Sequence, residues 1–251
     1  MYIMNFASIF MRYYNYYGTR GGGSNYGLYI LLMVGMLILP LIAQINVSST
    51  FSKYSRIGNS RGLTADQVAR MILDANGLYN IRIEHIKGNL TDHFDPRTNV
   101  IRLSESVYGN RSVAAIGVAA HECGHACQHA ENYGPIIWRS KLVPVTNICS
   151  TLWYIPLLIG IALSSLTIGT YFVYISIAMF LAVILFQLVT LPCELNASSR
   201  ALKTLRMDCI LEEKELPHAK KVLTAAALTY VTSLIASVFQ LLRLLMSVNR
   251  R

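Results

Sequence analysis

The sequence predicts a mainly α protein, with multi-pass membrane helices around a small α+β domain, and three observations carry that prediction. Of the 251 residues, 53% are hydrophobic and 14% are charged, which excludes a disordered, collagen-like or disulfide-scaffold chain. The charges are unevenly spread: Asp, Glu, Lys and Arg are absent from 21–52, 142–193 and 222–242. Between the first two gaps lies a charged stretch with turn signals, a strand-period run and a helix-forming run, as in a water-facing domain.

A membrane-crossing helix needs roughly 20 apolar residues, because only a self-bonded backbone tolerates lipid. After a Tyr/Gly-rich tail (1–26), Gly27–Ile45 fits one span (27–46), with Pro40 predicting a kink near its end. It is longer than a signal-peptide core and no A-x-A site follows it, so an anchor that stays is expected. The domain occupies 47–141. Thr64-Ala-Asp-Gln67 is a capping-box pattern, Val68, Met71 and Ile72 then share one helical face, and Gly77 supplies a stop. Leu78–Ile86 alternates with strand period, Lys87-Gly88-Asn89 and Asp95–Asn99 read as turns, and Val100–Leu103 is β-like, so a small sheet follows. Ser112–Glu131 then reads as a helix (about 112–131), with Gly134 just past its end. The second gap fits a transmembrane hairpin (142–192), with spans at about 145–165 and 171–191. A polar segment (193–221), a transmembrane or interfacial helix (222–247) and a basic tail (248–251) complete the chain.

Lys and Arg set the expected orientation. Lys53, Arg56, Arg61, Arg139, Lys141, Arg200, Lys203, Arg206, Lys214, Lys220 and Lys221 flank the spans on the face shared by 46–141 and 192–221. The other face holds Arg12, Arg20, Arg243, Arg250 and Arg251. A multi-pass protein of the cell membrane with its two polar segments in the cytoplasm is therefore expected. The net charge of +9 comes with no basic stripe interleaved with aromatics, so the implied partner is anionic lipid and not nucleic acid. Five cysteines without C-x-x-C spacing read as small buried thiols in a reducing compartment.

The string that carries chemistry is His121-Glu122-Cys123-Gly124-His125 in the middle of the expected helix. Residues four apart lie on one face about 6 Å along the axis, so both imidazoles can converge on one ion about 2 Å from each nitrogen. Glu122 then lies beside the ion and can serve as general base and acid for an attacking water. His129 lies about 12 Å from His121 along the axis, out of joint reach, and suits a supporting or solvent-facing role. Cys123 and Cys127 lie about 160° and 120° around the helix from His121, and read as packing residues. A catalytic zinc needs a third protein ligand. Glu194 is the candidate, as the first charge after the second gap; the alternative is an ordinary helix-start carboxylate. Ser198, one turn on, could orient that carboxylate.

Three runs together resemble a family: Leu90–Ser104 (LTDHFDPRTNVIRLS), Val118–His129 (VAAHECGHACQH) and Glu194–Ala201 (ELNASSRA) look like the neutral zinc metallopeptidases of the YugP type in bacteria. The match runs from about Phe51 onward and implies a zincin-like catalytic domain in a multi-pass membrane zinc protease. It is distantly similar to HtpX-like and CAAX-type membrane proteases. The resemblance implies a gluzincin-like set, with His121, His125 and Glu194 holding one Zn²⁺ per chain. Those distant relatives carry Asp four residues after the ligating Glu, where this chain has Ser198.

The expected substrate is a protein or peptide, membrane proteins included, and Val100–Leu103 could be a sheet edge that pairs with it. His218, Tyr108, Tyr133 and Arg200 are candidates for the oxyanion partner. Two other readings stay open. A membrane di-iron oxidoreductase would use Glu122-x-x-His125 with Glu215-x-x-His218, although Pro217 interrupts the second copy. A membrane scaffold would hold the ion structurally. Oligomeric state is not readable.

Overall fold

The computed structural model describes residues 24–248. The expected N-terminal tail up to 23, the end of the basic tail and the cations Arg12, Arg20, Arg250 and Arg251 lie outside the described residues. The elements in chain order are helix α1 (Ser24–Tyr54), helix α2 (Ala65–Ala75), strands β1 (Arg82–Ile86), β2 (His93–Asp95) and β3 (Val100–Ser104), and helices α3 (Val113–Ala130), α4 (Gly134–Leu152), α5 (Tyr154–Ala162), α6 (Thr167–Met207) and α7 (Leu216–Val248). Among the described residues, four stretches are long and apolar enough to cross a membrane: Gly27–Tyr54, Gly134–Ala162, Thr167–Met207 and Leu216–Met246.

These helices differ from their expected bounds for local reasons. Helix α1 runs through Pro40 as far as Tyr54, past the polar residues after 45. Ser49 Oγ donates to the Asn46 carbonyl at 3.1 Å and Thr50 Oγ1 to Asn46 Oδ1 at 3.4 Å, so these side chains are satisfied on their own helix and do not end it. The expected span 145–165 is two helices, broken at Trp153. Helix α6 does not stop at 191: it continues through Pro192 for several more turns, so Glu194 lies inside a helix and the helix-start alternative falls away.

The chain divides into two compact units. Among the described residues, one comprises 24–40, 142–187 and 232–248. Its small apolar core joins Val173, Ile177, Phe180, Ile184 and Leu244. Within it, Gly160 lets two segments approach closely, since a Cβ there would lie 2.7 Å from the Gly169 carbonyl oxygen.

The other unit comprises 41–141 and 188–231 and contains the sheet and every candidate site residue. Thr64 N–H donates to Gln67 Oε1 at 3.0 Å, which starts α2 where the capping pattern places it. The strand expected from 78 begins only at 82, because Arg70 donates to the carbonyls of Leu78 at 3.0 Å and Ile81 at 2.7 Å and holds that stretch as a turn. The sheet order is β1-β3-β2, with β3 parallel to β1 and antiparallel to β2. The run Val100–Leu103 is therefore the middle strand. Its backbone is bonded on both sides, and it cannot be the sheet edge that receives a substrate.

Helix α3 begins where Ser112 Oγ accepts from Ala115 N–H at 3.2 Å. It is buried along most of its length in a core that includes Val68, Ile72, Leu73, Ile101, Leu103 and Ile116. Its small residues let α6 and α7 come close. At Gly124 an added Cβ would lie 2.7 Å from the Ala197 carbonyl oxygen, and at Gly117 it would lie 3.5 Å from the Ala219 Cβ. Alanine at 124 gains about 1 kcal/mol of helix propensity, while forcing a methyl into a packed contact costs about 1–3 kcal/mol. The opposing atom is backbone and cannot rotate away, so packing wins. Gly124→Ala is expected to lower the thermal unfolding midpoint of the detergent-solubilised protein; an unchanged or raised midpoint would show that the helices can separate freely.

Candidate metal centre

One face of α3 carries Val118, His121, Glu122 and His125, spaced as one turn requires. Glu122 and His125 are each 8% exposed. Glu194, from the middle of α6, is 2% exposed, too deep for a carboxylate without partners. Its partners are all charged or chargeable. Arg139 Nη1 donates to Oε1 at 2.7 Å, while Oε2 lies 3.2 Å from His121 Nε2 and 3.4 Å from His125 Nε2.

The hydrogen-bond network fixes what these imidazoles present. Arg200 can only donate, so its Nε, 2.7 Å from Asn196 Oδ1, marks that atom as an acceptor. Gln128 Nε2 donates to the same oxygen at 2.9 Å and to the Cys193 carbonyl at 2.8 Å. The Gln128 Oε1 atom then faces His125 Nδ1 at 3.0 Å. An amide oxygen accepts only, so Nδ1 carries the hydrogen and the Nε2 of a neutral ring turns a lone pair toward Glu194. Ser198 Oγ holds His121 Nδ1 at 3.1 Å. It orients an imidazole where the sequence suggested the carboxylate.

The His125 lone pair thus faces the Glu194 carboxylate, and the two require a shared proton or a cation between them. Burial disfavours a charged His125, yet the Glu194 carboxylate beside it raises its pKa above the usual imidazole value. A cation in the gap would relieve the same conflict. The ligand atoms of His121, His125 and Glu194 all lie within 4.8 Å of one another. A tetrahedral ion with bonds of about 2 Å spaces its ligands roughly 3.3 Å apart, close to the 3.2 and 3.4 Å found here. Two imidazole nitrogens and one carboxylate oxygen are a donor set that zinc takes readily, so the residues fit that ion.

Glu122 Oε2 accepts the Phe94 N–H of β2 at 3.0 Å. A cavity of about 180 Å³ opens in front of it, lined by His121, Glu122, Glu194, Ser198, Asp92 and Tyr230 among others. Burial pushes the Asp92 carboxyl up, against the pull of Ser104, whose N–H and hydroxyl bond it at 2.7 and 2.9 Å.

The four residues expected to offer an oxyanion donor do not line this cavity. His218 stacks on Tyr54 with ring centroids 5.0 Å apart, and Tyr108 stacks on His85 at 4.9 Å. Arg200 pairs with Glu131 at 2.7 Å and lies over the Tyr133 ring. His129 is exposed and meets the Phe94 ring edge-on. Cys123 and Cys127 are buried packing residues, as expected, and Cys193 is buried too, whereas Cys149 is half-buried and Cys209 exposed. The second Glu-x-x-His does not join the cluster. Glu215 accepts from Ser60 N–H and hydroxyl and from Glu212 N–H just before α7 begins, and His121, His125 and Glu194 form the sole group of this kind among the described residues.

Gln128, Arg139 and Tyr230 were not legible as site residues. One signal existed for Arg139, which is among the last charges before the long gap and pairs with Glu194, the first after it. Because Gln128 sets the tautomer of His125, Gln128→Leu is expected to weaken zinc binding about 10- to 100-fold. Competition with a metal-chelating dye measures this, and wild-type affinity in the variant would refute the tautomer argument.

Comparison with known proteins identifies the chain's relatives. The chain is 46% identical over 219 residues to the "Putative membrane protease YugP" of Bacillus subtilis (strain 168), covering 87% of this chain and 96% of that protein. No solved structure matches it. The model of the family described as "Putative neutral zinc metallopeptidase" matches residues 29–249, a stretch that takes in both histidines, Glu122 and Glu194, and the chain belongs to that family.

Proposed function

We propose that the protein is a membrane-embedded zinc endopeptidase, in which His121, His125 and Glu194 hold one zinc ion and Glu122 moves the protons. The observation that carries this reading is the cluster of His121, His125 and Glu194 ligand atoms beside the Glu122 carboxylate and an open cavity. Zinc bound there would polarise a scissile carbonyl and make a water more acidic.

The chain's own residues divide the remaining work. Phe94 N–H holds one oxygen of Glu122, leaving the other to take a proton from the attacking water and return it to the leaving amine. Arg139 occupies Glu194 Oε1, so a single carboxylate oxygen faces the imidazoles. Tyr230 lines the cavity and its hydroxyl interacts with Glu194. It is placed to donate to the substrate carbonyl oxygen as charge builds there, the part the sequence left among four other residues. An extended substrate would add to β2, the edge strand whose Phe94 amide already reaches the catalytic carboxylate.

Cleavage at the membrane surface follows from the four apolar helices and from the membrane-protease name of the relative. In this reading both polar segments face the cytoplasm and the substrates are membrane proteins or loosely folded segments near lipid. The engaged state of Glu215 and its place outside the cluster argue against the di-iron alternative, and the cavity beside the ion argues against a closed structural site.

Glu122→Gln is expected to keep zinc and lose about 100-fold or more of casein cleavage, whereas Glu194→Gln is expected to lower the zinc-to-protein ratio of the purified protein. Cleavage by the first variant at the wild-type rate would overturn the mechanism, and an unchanged metal ratio in the second would remove Glu194 from the ligand set. Tyr230→Phe should reduce kcat about 100-fold with zinc content intact; loss of zinc with unchanged kcat per bound ion would instead make Tyr230 a support for Glu194.

A further inference from the structure

The cavity before Glu122 has an apolar side opposite its polar residues. On α3, Val118 stands one turn before His121 and Glu122. On α7, Val222, Leu223, Ala226 and Ala227 recur at helical spacing and bring an apolar stripe to the same space, and Phe51 of α1 closes another side. The only charges lining it are on carboxylates and, when protonated, His121. Among these, both oxygens of Asp92 already accept from Ser104. An acidic side chain would meet Asp92, Glu122 and Glu194 together, at like charge.

Size narrows the occupant further. The cavity holds about 180 Å³, on the order of six waters in the liquid. Once an attacking water and a scissile carbonyl are inside, room remains for one branched aliphatic side chain and not for an indole. Two of the wall positions are alanines, and they leave this space open. A larger residue at either would fill it.

Resting on the peptidase reading above, we propose that this cavity is a binding subsite for an aliphatic side chain (leucine, isoleucine, valine or methionine) adjoining the scissile bond, and that Ala226 and Ala227 set its depth. The substrate class is then a peptide segment with an aliphatic residue at the cut. Acidic and indole side chains are excluded at that position by charge and by volume respectively.

The test uses the full-length, zinc-loaded protein in lipid nanodiscs and two probes. The first is a set of peptide hydroxamates identical but for one side chain: isobutyl, methyl, carboxymethyl, aminobutyl or indolylmethyl, with binding measured by calorimetry. The second is an equimolar peptide mixture varied at one residue, with cut sites read by mass spectrometry. The isobutyl compound should bind at least 10-fold more tightly than the carboxymethyl or indole compounds, and cuts should fall beside aliphatic residues. Ala227→Phe and, as a milder change, Ala226→Val should each lose affinity for isobutyl while keeping that for methyl, with zinc content unchanged. Equal binding of all five compounds, binding of none, or variants that weaken all alike would overturn the subsite. Isobutyl preference without any peptide cleavage would support the subsite and remove the peptidase reading, whereas cleavage with no side-chain preference would do the reverse.

Discussion

The site depends on one arrangement: a carboxylate oxygen of Glu194 and a ring nitrogen from each of His121 and His125 brought close together inside the protein. Without a cation or shared proton, the His125 lone pair and the carboxylate repel, and each group loses hydration on burial. They remain together because each is held from behind. The hold on His125 passes through Gln128 and Asn196 to Arg200, a side chain that can only donate. Arg200 in turn is anchored on Glu131 near the end of α3, so both ends of the relay tie α3 to α6. Arg139 neutralises the far oxygen of Glu194. The result is a concentrated demand for positive charge, which a divalent ion meets better than a proton can.

Packing makes that arrangement possible. Helix α3 crosses α6 at Gly124 against the Ala197 backbone, and meets α7 at Gly117 against Ala219. Only residues this small bring a carboxylate on one helix within reach of two imidazoles on another. The same closeness explains the apolar cavity. With α7 drawn in, its valine, leucine and alanine side chains line the same cavity as Glu122. Electrostatic interactions strengthen in apolar surroundings, which would benefit the proton transfer proposed for Glu122 and the donation proposed for Tyr230.

The sheet is a smaller element with a specific role. Its β2 strand is only three residues long, yet it carries the Phe94 amide bonded to Glu122. Because β3 is paired on both sides, the outer edge of β2 is the backbone closest to the proposed chemistry. The sequence pointed to the neighbouring run Val100–Leu103 instead. It reads as the better strand by residue type, and for the same reason it takes the buried, doubly bonded middle position.

What the sequence determined by itself is whatever a periodicity of a few residues can encode. The His121/His125 spacing, the Ser112 start of α3, the apolar gaps and the emergence of Glu194 after the longest of them are local or compositional features. They fix chemistry and element type without reference to the rest of the chain. Gln128, Arg139 and Tyr230 carry no such pattern. A glutamine on a helix, an arginine before an apolar segment and a tyrosine within one occur in many settings, and each gains its role from the atom opposite it. The strand order, the engagement of Ser198 with His121 in place of the carboxylate, and the dispersal of His218, Tyr108, Tyr133 and Arg200 away from the cavity were likewise decided only by tertiary structure. The physical reason is that a hydrogen bond reaches about 3 Å, and which side chains come that near is set by helix crossings between residues tens of positions apart.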